Sequence, residues 1–167
     1  MVRLLIKYSI IFVVLVLLQV LVFNQIQFSG YINPYVYVLF ILLLPINTPR
    51  YVVLLLGFLI GIVVDVFSST LGFHAGSTVF MAFARASVLD LISSKEKDRS
   101  EFPGMAQYGF RWFLSYTAVM VVLHHVFFFY FEVFTFANFF HTLFRSFLSS
   151  VFSIFIIVLS QFIVVRD

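Results

Sequence analysis

Few side chains in this sequence are chemically capable, and their spacing limits what they can do. Gly57, Gly61 and Asp65 recur every four residues, so a helix carries all three on one face. Glycines four apart admit a neighbouring helix at close range. That face reads as a packing surface, with Asp65 at the interface or capping a loop. The competing reading gives Asp65 a substrate or proton role. Gly72, His74, Ala75, Gly76 and Ser77 follow, then Ala82, Ala84, Ala86 and Ser87 around Arg85. A stretch so rich in small residues is expected to be surrounded by other helices. Ionisable groups at membrane depth normally face protein or water, and Arg85 reads as a structural anchor in preference to a ligand-binding group. Asp90 is not its helical neighbour, because five residues leave the two about 140° apart on a helix.

His124 and His125 are adjacent and diverge by about 100° on a helix, so they cannot chelate one ion as a pair. Metal-binding helices use histidines four apart instead. Glu132 and His141 complete a site only if the tertiary fold brings them there. His141, Arg145, Ser149 and Ser153 form a second row with a spacing of four. Such a polar stripe marks a face buried against protein, within a bundle or at a partner subunit. Cysteine is absent, which removes thiolate chemistry and disulfides. The chain carries no glycine-rich phosphate loop, HExxH or GxSxG. These residues lead to an expectation of no enzyme activity, no metal and no cofactor.

The elements that must position these residues are transmembrane helices. Of 167 residues, 63% are hydrophobic and 10% charged, against roughly 25% charged in a soluble domain. So much apolar surface needs lipid as its solvent. The net charge of +3 does not point to nucleic acid, because the cations are dispersed and no groove-reading motif is present. Six apolar blocks predict a single transmembrane domain, 1–167, with spans near 4–23, 33–47, 51–67, 71–92, 113–131 and 139–165. The fold class expected is all-α integral membrane, a six-transmembrane-helix bundle. Arg3 and Lys7 before the first apolar run imitate a secretion signal, but no small-x-small cleavage site follows, so the run is expected to stay as a span. The second block is the weak one. Pro34 and Pro45 bracket it, and it either spans with a kink through Asn33 and Asn47 or re-enters on one side.

Charge placement chooses between these, because lysine and arginine gather in cytoplasmic loops. With six spans, Arg3, Lys7, Arg50, Lys95, Lys97, Arg99, Arg111 and Arg166 all fall on one side. Treating block two as a hairpin would put the charged 93–111 loop outside. Six spans, with both termini cytoplasmic, is the consistent reading. The loop Ser93–Ser100 mixes charge signs and is expected to be hydrated and mobile.

Order and spacing together carry a family resemblance. Gly57-x-x-x-Gly61-x-x-x-Asp65, followed after a short Ser-Ser-Thr loop by Leu71-Gly72-Phe73-His74-Ala75, resembles the central signature of the rod shape-determining MreD family. Gln19, the pair Asn33-Pro34, the length and the six-span layout extend the likeness over nearly the whole chain. The stretch from Tyr116 to Glu132, with its double histidine, resembles the version found in Bacteroidetes-type bacteria. The short second block departs from the pattern. The resemblance implies a non-enzymatic scaffold of the bacterial inner membrane, within the elongasome that builds lateral peptidoglycan. It implies binding to MreC and, through it, connection to MreB, RodA and a partner transpeptidase. It also implies a fold similar to the substrate-binding subunits of energy-coupling-factor transporters. On that likeness the alternative is a vitamin-type transport subunit. Under the scaffold reading Gly57, Gly61, Asp65, Gly72, His74, Arg85, His141, Arg145, Ser149 and Ser153 set helix packing or a partner interface.

Overall fold

A computed structural model describes residues 2–26, 32–92, 100–135 and 138–163, with the backbone of the last helix continuing to Arg166. The chain is an all-α membrane protein, and its described residues include five helices long and apolar enough to cross a bilayer. They are α1 (Val2–Leu21), α3 (Arg50–Ser68), α4 (Phe73–Ile92), α6 (Phe110–Val133) and α7 (Phe139–Arg166). Among the described residues there are also two short α-helices, α2 (Leu39–Leu43) and α5 (Met105–Tyr108), and a 3-10 turn at Phe23–Gln25. Most of the charged loop, 93–99, lies outside the described residues.

Apolar side chains cover both the inside and the outside of the bundle, as lipid solvation requires. Leu5, Leu17, Phe83 and Phe147 are exposed, while Ile60, Met81, Met120 and Ile157 are fully buried. The centre is α4, which packs on α3 and α6, and α7 packs on α6. The small residues of α4 permit this: nine of its side chains are buried, among them Ala75, Ser77, Ala82 and Arg85.

The second expected span, 33–47, is not a continuous helix. Only Leu39–Leu43 is α-helical, five residues in all. The physical reason is proline at both ends. Each proline biases the preceding residue toward extended backbone, and Leu44, before Pro45, has ψ 144°. Residues 34–42 are nevertheless all buried, so this segment forms the inside of the bundle. Its hydrogen bonds trace a path from end to end. The Asn33 and Tyr35 amides bond Ser149 and Ser153 of α7. Further on, the Leu43 carbonyl accepts from Tyr8 of α1, and the Ile46 amide donates to the Glu101 carbonyl. The end of the bundle holding Glu101 is called the loop end below, and the end holding Asp65 the far end.

Candidate functional site

Asp65, His74, Arg85, Ser149 and Ser153, singled out from sequence, fall in two buried latches, one at each end of the unwound segment. At the far end, α3 stops at Ser69, which adopts left-handed φ 56° and returns its N–H to the Asp65 carbonyl. The Thr70 amide bonds the same carbonyl at 3.1 Å. Helix α4 begins four residues later behind Gly72, whose φ of +86° suits glycine. The usual residue to cap α4 is the one at that position, but glycine has no side chain to do so. The Asp65 carboxylate takes the role from the preceding helix. Its Oδ2 accepts from the Ala75 amide at 2.8 Å and its Oδ1 from the His74 amide at 3.1 Å. Thr70 Oγ1 donates to Oδ1 at 2.5 Å, and His74 Nδ1 lies 3.0 Å from it. One residue therefore ends α3 with its backbone and starts α4 with its side chain. A carboxylate also complements the positive end of the α4 dipole.

The two glycines of the same α3 face hold the helices close enough for this. Gly61 lies directly against the α4 backbone, and a Cβ there would sit 2.5 Å from Ala75 Cα. Gly57 faces Ala82 and the Thr78 carbonyl with slightly more room.

The unwound segment is fastened beside this cap. Gln19 of α1, fully buried, accepts from the Val36 and Tyr37 amides at 2.8 and 3.3 Å and donates to the Pro34 carbonyl at 3.1 Å. Backbone outside a helix must find partners inside the protein at membrane depth, and Gln19, Ser149 and Ser153 supply them. The histidine pair splits between two such duties. His125 donates from Nδ1 to the Val121 carbonyl at 2.9 Å, which leaves Nε2 to accept from Ser153 Oγ at 3.0 Å. Ser153 in turn accepts from Tyr35 N at 2.9 Å. His124 Nε2 meets the Tyr37 hydroxyl at 2.9 Å, and that hydroxyl also meets Thr78 Oγ1 at 3.0 Å. Thr78 spends its proton on the His74 carbonyl. Tyr37 then donates to Thr78, and His124 donates to Tyr37 through Nε2. The Tyr35 ring fills the space between, 5.1 Å from His74, 5.2 Å from His125 and 4.7 Å from Phe128.

The loop-end latch is Arg85, 3% exposed. Its Nη2 donates to the carbonyls of Leu44 and Pro45, just past α2, and its Nε to the Tyr116 hydroxyl at 3.0 Å. A cation suits the carbonyl end of a helix.

Of the α7 row, Ser149 and Ser153 join the far-end latch, while His141 stands exposed at the start of the helix. Arg145 does not meet Asp65; it pairs with Glu132 at 2.9 Å and covers the Phe129 ring at 4.5 Å. With its amide oxygen turned toward Arg145, Asn33 accepts from Nη2 at 2.9 Å. Among the described residues no group of three or more His, Asp or Glu side chains is placed to hold a metal ion. Tyr35, Tyr37, Thr70, Thr78 and Tyr116 were not legible as site residues. For Tyr35 and Tyr37 the available signal was the proline bracket, since backbone freed from a helix at membrane depth needs partners inside the protein.

Asp65→Asn tests the cap. Asparagine keeps one acceptor and turns an N–H2 group toward buried donors, so the loss is expected to be about 1–3 kcal/mol. A lowered thermal midpoint of the detergent-solubilised protein would register it. An unchanged midpoint would mean that α4 starts without this carboxylate. No family model, curated protein or solved structure matches the chain.

Proposed function

We propose that this chain is a non-catalytic, multi-pass membrane scaffold that crosses the bilayer six times, five times as a long helix and once through the unwound segment. Within that class, we propose that it is an MreD-like subunit of the rod complex in a bacterial inner membrane. It would bind MreC, be linked through it to MreB, RodA and the partner transpeptidase, and support lateral peptidoglycan synthesis.

The observation that carries this reading is where the buried polar groups are spent. Asp65, Gln19, Arg85, His125 and Ser153 each bond the chain's own backbone or a neighbouring side chain. A capture subunit of a transporter needs polar groups that await a ligand at the far end. Here that region is filled by the Tyr35, His74 and Phe128 rings. A bundle that spends most of its buried polar groups on itself, with His74 Nε2 and His124 Nδ1 among the exceptions, and that has an apolar exterior suits an intramembrane docking surface. Positive charges at Arg3, Lys7, Arg50 and Arg111 gather at the loop end, which the positive-inside rule makes cytoplasmic.

Affinity purification of the tagged chain from native membranes in mild detergent, followed by mass spectrometry, tests the proposal. Recovery of MreC with elongation synthases is the expected result. Recovery of an ATPase pair with a coupling subunit, and no wall-synthesis protein, would replace it with the transport reading.

A further inference from the structure

Independently of that reading, the loop end contains a groove that the bundle leaves unfilled. Helix α1 packs mainly on α3 and α2, and α7 mainly on α6. Between α1 and α7 lies a cavity of about 690 Å³, floored by Leu39 and Leu43 of α2 and closed at the loop end by Phe102 and Met105. Its α1 wall is Ile10, Ile11, Val14, Leu15 and Leu18. Ile10, Val14 and Leu18 are each at least 40% exposed, so the groove opens sideways, toward lipid.

Five polar side chains stand in this lining; the Tyr8 and Ser160 hydroxyls donate to the Leu43 and Ile157 carbonyls, and the others are Lys7, Gln107 and Gln161. Lys7 sits at the loop end with its ammonium 5.5 Å from the Phe102 ring, and no carboxylate pairs with it among the described residues. Arg3 lies four residues earlier, on the same helix face. Gln161 of α7 lines the groove and is 6% exposed. An amide on the groove wall can donate to the acceptor oxygens of a ligand seated there.

We infer that this groove binds one anionic phospholipid from the leaflet on the charged-loop side. An acyl chain lies along Val14, Leu15 and Leu18, the ester region meets Gln161, and the head-group phosphate meets Lys7. The volume falls within the roughly 300–1,000 Å³ usual for ligand pockets. It does not suit a partner's spanning helix: a rod about 10 Å across would fill it over only about six residues. Basic pockets between membrane helices on the cytoplasmic side recognise acidic head groups in this way.

Native mass spectrometry of the full chain in a non-ionic detergent tests the inference, with phosphatidylglycerol or phosphatidylcholine added. One phosphatidylglycerol should be retained, with about five-fold preference over phosphatidylcholine, as one juxtamembrane cation supplies. Lys7→Ala, at an exposed position, should bring the two lipids to parity. Val14→Trp, also exposed, should fill the groove and abolish retention of both while circular dichroism and monodispersity stay unchanged. Equal retention of the two lipids by the wild type would overturn the head-group assignment. Adducts that survive Val14→Trp would overturn the groove as the site. A dimer mass without lipid would give the groove to a second copy of the chain.

Discussion

Gly61→Ala is expected to abolish the folded bundle, or to leave a protein that aggregates on extraction. The added Cβ would stand 2.5 Å from Ala75 Cα, 2.7 Å from Ala75 N and 2.8 Å from the His74 carbonyl oxygen. All three are backbone atoms of the first turn of α4, so no rotamer change relieves the contact. The helices must separate, and separation pulls the His74 and Ala75 amides off the Asp65 carboxylate. Overpacking in a tight core costs about 1–3 kcal/mol and sometimes more. The gain of about 1 kcal/mol from replacing glycine by alanine in a helix is too small to offset it together with the lost cap. Gly57→Ala is the control. Its Cβ would meet Ala82 Cβ at 3.1 Å and the Thr78 carbonyl oxygen at 3.3 Å, a shift of a few tenths of an ångström. There the helix-propensity gain is of the same size as the strain, and the thermal midpoint should move little. Ala75→Gly should not rescue Gly61→Ala, because the clashing atoms remain. A stable, monodisperse Gly61→Ala protein would show that α3 and α4 are not held by this contact.

That contact was legible in sequence because its signal is local. Small residues at a spacing of four name both the helix face and its use, and the apolar runs name the five long helices. The unwound segment was only half legible. Pro34 and Pro45 announce that a helix will be interrupted, yet nothing within residues 33–47 says whether the stretch lies inside the protein. The answer resides in its partners. Ser149 and Ser153 stand 116 and 118 residues away from the amides they accept, and the polar row on α7 shows a buried face without showing what faces it. The histidine pair is similar. Its angular divergence excludes a shared ion, but the divergence is what sends His124 to Tyr37 and His125 to Ser153. Arg85 read as an anchor, and its targets, the carbonyls that follow α2, exist only because that helix ends early.

Gln19→Leu should then destabilise the protein more than any substitution of a single α7 serine, although it makes α1 more apolar. The change leaves the Val36 and Tyr37 amides without their acceptor and the Pro34 carbonyl without its donor. Each buried unsatisfied group costs about 1–3 kcal/mol, so the loss is expected to be about 3–9 kcal/mol before relaxation. Leucine offers little in return, since lipid tails are as apolar as the side chain and burial between helices lacks the aqueous hydrophobic term. Ser149→Ala removes one acceptor from a half-buried amide and should cost about 1 kcal/mol. The sign separates two accounts of the segment. If residues 33–38 depend on Gln19, the thermal midpoint of Gln19→Leu falls well below that of Ser149→Ala. If the segment can rewind into a regular span, it satisfies its own amides, Gln19 becomes a burden in an apolar helix, and the leucine variant melts higher than the wild type.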